Sequence, residues 1–370
     1  MVILFSGDNL KDELIEIDGS YLEGGGQIVR TALALSTITG KPFKVDNIRK
    51  NRPNPGLKNQ HLYAIKALKE LCNADVKGDY LGSTSLIYYP NSLNYHNLNI
   101  DIETAGSITL FFQAIMPVIL FSDKKLTIKV RGGTDTSHSP SIDYFNNVFL
   151  HYLQPYADIN LKIEKRGYYP KGDGKVVLKI SPKYSISGFN SFEEFLEFIR
   201  EEKKGIYLEK RPPLVLIKGI SHASKDLMNA NVAERQARQA RYILNKFNVP
   251  VKIQTEYVDT LSTGSGITLW AIFSENEKSV ILGSDALGEK GKKSEIVGEE
   301  AAKQLSKDIE NGEWIDKYLL DQLMPYVVLF GGKISYSEMS NHAKTNAYVI
   351  HKFLTNLKIE NRNLSSPNLS

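Results

Sequence analysis

The chain has 370 residues, 42% hydrophobic and 24% charged, an ordinary globular composition with room for about two domains. Its net charge of +4 permits a local basic groove without demanding nucleic acid. The single cysteine, Cys72, excludes an intrachain disulfide and any multi-cysteine metal site, and it points to a reducing, cytoplasmic setting. Met1 to Glu13 lacks a basic segment followed by a long apolar run, so no signal peptide is expected. The most apolar window, Ile108 to Phe121, contains Gln113 and Pro117 and is too short for a bilayer span of ~20 residues. It reads as a buried core helix, and no membrane partner is expected. The polar tail, Asn361 to Ser370, is expected to fray.

In chain order, a strand at Leu14–Asp18 precedes a glycine-rich loop and a helix over Gln27–Thr39, stopped by Gly40-Lys41-Pro42. A strand at Phe43–Ile48 and a loop, Arg49–Gly56, lead to a helix over Leu57–Cys72 with Ala64, Ile65, Leu68 and Leu71 on one face. Short strands follow near Ala74–Lys77 and Ser85–Tyr89. The order then repeats: strand Leu98–Glu103, helix Ser107–Phe121, strand Leu126–Val130, helix Ser141–Leu153, and strands Asn160–Glu164 and Lys175–Ile180. A repeat of roughly 80–90 residues marks a repeated architecture. A third, interrupted unit has helices Ile315–Leu329 and Ala343–Leu354 around a strand at Lys333–Tyr336. The intervening stretch reads as an inserted α/β domain with helices Phe192–Lys203, Asn231–Phe247 and Ser294–Ile309. Its strands are Leu214–Lys218, Val251–Tyr257, Thr268–Phe273 and Ser279–Gly283. The division is therefore units one and two over 1–183, an insert over 184–312, and unit three with the tail over 313–370. The fold class is α/β (α+β), built on βαβαββ units.

Four constellations carry chemistry. Asp18 to Arg30 holds Gly24-Gly25-Gly26 at a helix start, where backbone N–H groups can meet an anion. Glu23 beside them can hold a divalent cation, and Arg30 lies one turn in. The motif is neither a Walker A loop nor G-x-G-x-x-G. Arg49 to His61 is a proline-stiffened loop displaying Arg49 and Arg52, suited to gripping phosphate; His61 reads as packing. Tyr318 and Asp321 share a helix face, which suits a nucleoside. His342, after a strand and at the mouth of a helix, can act as a nucleophile. It occupies the loop position that the other units give to Arg52 and Pro140, so packing about a pseudo-threefold axis would bring these loops together. Arg235, Arg238 and Arg241 form a stripe that reads as a solvated helix face.

The order of these motifs closely resembles the RNA 3′-terminal phosphate cyclase family. The matching pieces include Glu23 to Arg30, Ile48-Arg49, Arg52-Pro53-x-Pro55-Gly56-Leu57, Gln60-His61 and Ala105-Gly106-Ser107 with Gln113. They continue with Gly132-Gly133-Thr134-Asp135, Pro140, Gly167-Tyr168-Tyr169-Pro170, Tyr318-Leu319-x-Asp321-Gln322 and His342-x-x-Thr345-Asn346. The resemblance implies a fold like that of enolpyruvyl transferases. It also implies an ATP-dependent conversion of an RNA 3′-phosphate to a 2′,3′-cyclic phosphate, through a covalent histidine–AMP and an RNA adenylate, with Mg²⁺ or Mn²⁺. By the same resemblance His342 is the nucleophile and Glu23 the metal-binding carboxylate, while Arg30, Arg49, Arg52 and Gln60 contact RNA or phosphate. Gln113 joins the nucleotide contacts, Tyr318 and Pro140 sandwich adenine, and Asp321 and Gln322 contact ribose or orient His342. Asp173 stands where the family commonly has glycine, which would alter a turn. Competing readings are a non-catalytic relative, disfavoured by the presence of His342, an enolpyruvyl transferase, and a plain RNA-binding module. The insert's role is open, and a homodimer is one option.

Overall fold

The computed structural model describes residues 14–202, 205–276 and 278–366; the expectations for residues 1–13 and 367–370 lie outside it. Unit one runs β1 (Ile15–Asp18), α1 (Gln27–Thr39), β2 (Phe43–Asp46), α2 (Asn59–Cys72), β3 (Asp75–Lys77) and β4 (Leu86–Tyr89). Its sheet order is β1-β2-β4-β3, with β1 and β2 parallel and the other pairs antiparallel. The parallel pair needs the α1 crossover between its strands. Almost every side chain of α1 is buried, polar ones included, as befits a helix with neighbours all round. Gly40, at φ +75°, ends it by donating its N–H to the Ser36 carbonyl at 2.9 Å.

Unit two repeats the plan: β5 (Leu98–Asp101), α3 (Ile108–Ile119), β6 (Leu126–Gly132), a helix opening as α4 (Ile142–Tyr144), β7 (Ala157–Lys165) and β8 (Gly174–Pro182), in the order β5-β6-β8-β7. The α4 helix widens over Phe145–Phe149 and tightens over Leu150–Leu153. The apolar window of the sequence is α3, buried as expected. Asp173 sits at φ +67°, and its carboxylate accepts from Arg131 Nε at 2.6 Å and from Lys165.

The third sheet corrects two expectations. After α5 (Phe192–Glu202) comes β9 (Ile206–Leu208), inside the stretch assigned to the insert, yet β9 pairs in parallel with the later β14. Between them lie β10 (Leu214–Ser224), α6 (Val232–Leu244), β11 (Val251–Val258), β12 (Ser265–Glu275), β13 (Lys278–Leu287) and α7 (Ser294–Glu310). This insert forms its own sheet, β11-β10-β12-β13. The chain then returns through α8 (Lys317–Phe330), β14 (Gly332–Ser335), α9 (Asn341–Phe353), β15 (Lys358–Glu360) and β16 (Asn363–Ser366). The order β9-β14-β16-β15 matches units one and two. Residues 363–366, expected to fray, form an interior strand with Leu364 fully buried. These strands have only three or four residues, too few to show alternation.

Helix α1 packs on α3 and α9, and α3 packs on α8, so the three units share one core. Cys72 is free and buried in it. Among the described residues no helix is long and apolar enough to cross a membrane. A sealed charge cluster joins the insert to unit two. Arg166 Nη2 meets Asp143 Oδ2 at 2.8 Å, Nη1 meets Asp135 Oδ2 at 3.3 Å, and Nε meets Glu256 Oε1 at 2.5 Å. His222 Nε2 lies 3.4 Å from Asp135 Oδ1, and its Nδ1 lies 2.7 Å from the Tyr168 hydroxyl. Of the arginine stripe on α6, Arg238 and Arg241 are exposed, in keeping with a solvated face, while Arg235 grips Glu295 of α7 through two bonds of 2.7 and 2.8 Å.

Candidate active site

The loop between β1 and α1 is folded by its own side chains. Asp18 Oδ1 accepts from the Ser20 backbone N–H at 3.0 Å and from Asn47 Nδ2 at 3.2 Å, a local turn that sends the chain back. Gly24 then takes a left-handed conformation, φ +55°. Gly26 sits against the His61 ring, where a Cβ would lie 2.0 Å from Nε2, so only glycine fits. His61 is buried, and its Nδ1 accepts the Lys58 N–H at 3.0 Å to start α2; the packing role read from sequence is the one seen. The result lifts Glu23 to the rim of the α1 N-terminus.

Glu23 meets a histidine from a remote part of the chain. Helix α9 begins at Asn341, with Ser340 Oγ accepting the Ala343 N–H at 3.1 Å. His342 is thus in the first helical turn rather than in the loop before it. Its side chain is 51% exposed, and Nε2 lies 2.9 Å from Glu23 Oε2. Arg52 Nη2 reaches the same Glu23 oxygen at 3.2 Å.

Gln27 fixes the imidazole. Its Nε2 donates to the His342 carbonyl at 2.8 Å and to Asp321 Oδ1, both acceptors. Its Oε1 is therefore the atom 2.6 Å from His342 Nδ1, and Nδ1 must carry a proton to donate to it. The reactive lone pair of a neutral imidazole then sits on Nε2. Burial pulls the His342 pKa down, with Arg30 and Arg52 acting in the same direction and Glu23 opposing them. Asp321 in turn is half-buried, and desolvation pushes its carboxyl up to about 7 against the pull of Arg30. Its backbone carbonyl accepts from Asn346 Nδ2 at 2.8 Å, and Thr31 Oγ1 donates to Asn346 Oδ1 at 2.6 Å. Asn346, four residues after His342, thus helps to seat Asp321, while the Thr345 hydroxyl donates to the Asn341 carbonyl at 2.7 Å.

These groups open onto a cleft of about 470 Å³ between units one and two. Arg30, Arg49, Arg52, Lys58, Gln60 and His342 are among its walls. Arg30 is buried, and desolvation lowers its pKa to about 10, still far above neutrality. Arg49 is lowered too, by burial and by Arg52. Three arginines facing one space make a strong anion site. Gln60 Oε1 accepts the Ser107 N–H at 3.4 Å, tying the two units across the cleft.

The remaining sequence candidates lie deeper. Gln113, Asp321 and Gln322 line a cavity of about 30 Å³ where α1, α3 and α8 meet, with Gln27 and Arg30 shared between it and the cleft. Gln322 Oε1 is buried there without a hydrogen-bond partner. Pro140 and Tyr318 do not line the cleft. Tyr318 and Ser141, the residue after Pro140, converge instead on Asp285 of β13. The Ser141 N–H donates to Asp285 Oδ2 at 2.7 Å, and Tyr318 faces Asp285 from α8 while its ring meets Tyr144 edge-on at 5.4 Å. Burial raises the Asp285 pKa. The sequence reading missed the roles of Gln27 and Asp285. Gln27 was inside a quoted motif, but its partners are about 300 residues away in sequence. Asp285 lies on an insert strand whose spacing carries no sign of Tyr318 or Pro140.

A divalent cation would find one carboxylate here. Glu23 is one-third exposed at the cleft mouth, and a small hard cation commonly takes one or two carboxylates with phosphate and water completing its shell. The donor set fits an ion brought in with a polyphosphate.

A family model described as RNA 3′-terminal phosphate cyclase matches residues 21–359. Proteins of that name from Pyrococcus abyssi, Saccharolobus islandicus and Archaeoglobus fulgidus are 44%, 45% and 43% identical over 342, 350 and 344 residues. The alignments cover 92%, 94% and 92% of this chain and 93%, 96% and 96% of those relatives.

Proposed function

The chain belongs to the RNA 3′-terminal phosphate cyclase family, and from that premise we propose that it converts an RNA 3′-phosphate to a 2′,3′-cyclic phosphate at the expense of ATP. The observation that carries this reading is the Gln27–His342 pair: a half-exposed imidazole with Nδ1 held and Nε2 facing an arginine-lined cleft.

In the first step His342 Nε2 attacks the α-phosphorus of ATP. A P–N bond forms, the bond to the β-phosphate oxygen breaks, and pyrophosphate leaves. The Nδ1–H keeps donating to the Gln27 carbonyl, which stabilises the positive charge that develops on the ring. Arg30, Arg49 and Arg52 neutralise the phosphate oxygens. A divalent ion, Mg²⁺ or Mn²⁺, held by Glu23 would add charge stabilisation and would draw that carboxylate away from Nε2. In the second step an oxygen of the RNA 3′-phosphate attacks the adenylate phosphorus and His342 leaves. In the third, the neighbouring 2′-hydroxyl attacks the activated 3′-phosphate, loses its proton and expels AMP. The hydroxyl is vicinal to the phosphate, so the ring closes without a second substrate.

We place Gln60 with the arginines as a contact to the RNA phosphate. We assign Tyr318 and Pro140 to the adenine, and Gln113 and Gln322 to the nucleotide; the unpartnered Oε1 of Gln322 supports this. Asp321 orients His342 through Gln27, and Asp285 joins Tyr318 and Pro140 as a candidate for the adenine amine. A cytoplasmic setting fits an RNA substrate and a single reduced cysteine. The test is incubation with α-labelled ATP and Mg²⁺ or Mn²⁺, without RNA, followed by denaturing separation. Acid-labile, alkali-stable label on the wild type, absent in His342→Ala, supports the reading. An unlabelled wild type that still binds RNA overturns it in favour of a non-catalytic RNA-binding protein.

A further inference from the structure

Two elements of the cleft also wall a second cavity, of about 700 Å³, between units one and three. The β1–α1 loop gives Gly25 and Gly26 to the cleft and Tyr21 to this groove. Helix α9 gives His342 to the cleft, and Lys344, Tyr348, His351 and Lys352 to the groove; Tyr336 completes its aromatic lining. Tyr348 is six residues from His342, roughly 9 Å along the helix axis and about 120° around it, so the cleft and the groove occupy different faces of α9, with the β1–α1 loop lining both.

Its surface has the composition of a strand-binding platform. Tyr21 is 39% exposed, and its ring stacks on Tyr348 with centroids 4.2 Å apart and planes 20° from parallel. The Tyr348 hydroxyl accepts the Asp18 N–H at 3.1 Å, so the stacked pair is anchored to the loop that carries Glu23. Lys352 Nζ stands 5.7 Å from the Tyr348 ring centroid. Lys344, His351 and Lys352 are exposed, and among the described residues none that lines the groove is acidic. Beside Tyr21, Leu22 is 45% exposed and held at φ +51°. That conformation is uncommon for a residue with a Cβ, and such strain collects at ligand-contacting loops.

Basic grooves with exposed aromatic faces bind single-stranded nucleic acid, the cations tracking phosphates and the rings stacking on bases. Protein interfaces share the aromatic enrichment but are poor in lysine, whereas this groove is lined by Lys344 and Lys352. We infer that this groove holds the RNA strand upstream of its 3′ end, with bases against Tyr21 and Tyr336 and backbone phosphates on Lys344 and Lys352. The inference rests on the proposed cyclase reading, since that reading puts the 3′-phosphate in the adjoining cleft. It adds a second, length-dependent site outside the reacting groups.

The test compares the full wild-type chain with Lys344→Ala/Lys352→Ala and, separately, Tyr336→Ala. Labelling by ATP alone, cyclisation of a 3′-phosphorylated dinucleotide and cyclisation of a 3′-phosphorylated oligonucleotide of about ten residues are measured side by side. Binding of the same oligonucleotide without ATP is followed by fluorescence anisotropy across a salt series. The double lysine variant should keep wild-type labelling and dinucleotide kinetics, raise KM for the longer RNA about tenfold, and lower the salt slope of binding by about one to two charges. Tyr336→Ala should raise the same KM while leaving the salt slope unchanged, because stacking carries no ion release. Equal KM values for the long RNA, with unchanged anisotropy, overturn the inference and leave the groove to a protein partner. An effect of equal size on both lengths overturns it too, since it would place these residues at the reacting end. Failure of ATP labelling in the wild type falls on the cyclase reading alone, because the anisotropy series still reports on the groove.

Discussion

Two places in this molecule bring a histidine, a carboxylate and an arginine within ion-pair distance, and they are built for opposite ends. At the cleft, His342, Glu23 and Arg52 meet with side chains one-third to one-half exposed. Between unit two and the insert, His222, Asp135, Asp143 and Arg166 meet with almost no exposure. The residue types are those of a metal or catalytic site in both places, and Asp135, Asp143 and His222 even place ligand-type atoms within 4.8 Å of one another. What separates them is which cation the carboxylates already face and whether a substrate can reach them. Arg166 donates to both buried aspartates and to Glu256. Although burial alone would raise it, the Asp135 carboxyl is held below its usual range by His222 and Arg166. The Arg166 guanidinium, despite its burial, is likewise held charged by its carboxylate partners. That cluster is a fastener. At the cleft, arginines outnumber carboxylates, and the surplus positive charge faces open space where phosphate can enter.

The sharpest way to break the comparison is to delete one member from each place. His342→Ala should abolish covalent labelling by ATP and cyclisation, a loss of at least about 10³-fold by the logic of a removed nucleophile. Chemical denaturation should find its stability within about 0.5 kcal/mol of wild type, as for an exposed surface position. Arg166→Met should do the reverse in kind. Three carboxylates would lose their cation, two of them sealed from water, and removing one partner of a buried ion network costs about 3–5 kcal/mol. Urea unfolding reads that loss directly. A change in Arg166→Met under about 1 kcal/mol, well short of that range, would show that the cluster is not what seats the insert.

The same contrast explains what could be read from the sequence. The helices and the element order of units one and two follow from periodicity and from the Gly40-Lys41-Pro42 stop, all local information. The third sheet does not, because β9 and β14 are separated by the whole insert and β16, Asn-Leu-Ser-Ser, has a single apolar residue. In the site, the meeting of Arg52 and His342 was legible because they fall on corresponding loops of the repeated units, and Glu23 drew notice as a carboxylate beside a glycine-rich helix start. Gln27 and Asp285 were not. An amide that fixes a tautomer, or a carboxyl that faces a tyrosine from another sheet, has no signature in its own neighbourhood. Asp135 and Asp143 show the converse, since catalytic-looking residues, one of them in a quoted motif, turn out to fasten the insert.

Asp321 tests how far the site's polar interior costs stability. Its carboxyl is raised from 3.8 to about 7 by burial, with Arg30, Asn346, Gln27 and Glu23 as its facing groups. The folded state therefore holds this proton more tightly than the unfolded chain does. Its contribution to stability is complete below about pH 4 and is lost as the pH climbs through about 7. Asp321→Asn removes that titration. The difference between the variant and wild type in urea unfolding should move in favour of the variant by about 3 kcal/mol between about pH 4 and pH 8. A constant difference across that range would mean that Asp321 titrates near its unfolded value.

Gln27 is where the folded interior and His342 touch, so it carries the finest distinction. Gln27→Ala frees the imidazole to choose either tautomer and to rotate, and misplacement on that scale costs about 10²-fold in rate, which ATP labelling under single-turnover conditions will show. A loss of that size could also follow from a merely loosened helix start. Gln27→Glu separates the two cases. The new carboxylate can still accept the His342 Nδ1 proton, but it cannot donate to Asp321 or to the His342 carbonyl, and it places one carboxyl against another. Adding Asp321→Asn to Gln27→Glu restores an amide–carboxyl pair with the roles exchanged, because the amide introduced on α8 can donate to the carboxylate introduced on α1. If Gln27 acts by linking Asp321 to His342, the double variant should label faster than Gln27→Glu alone by about tenfold, the rate equivalent of one recovered hydrogen bond to a charged group. No matching gain in stability is expected at low pH, where the carboxyls are protonated in either case. If Gln27 is only packing at the start of α1, the second substitution will leave the labelling rate where the first put it.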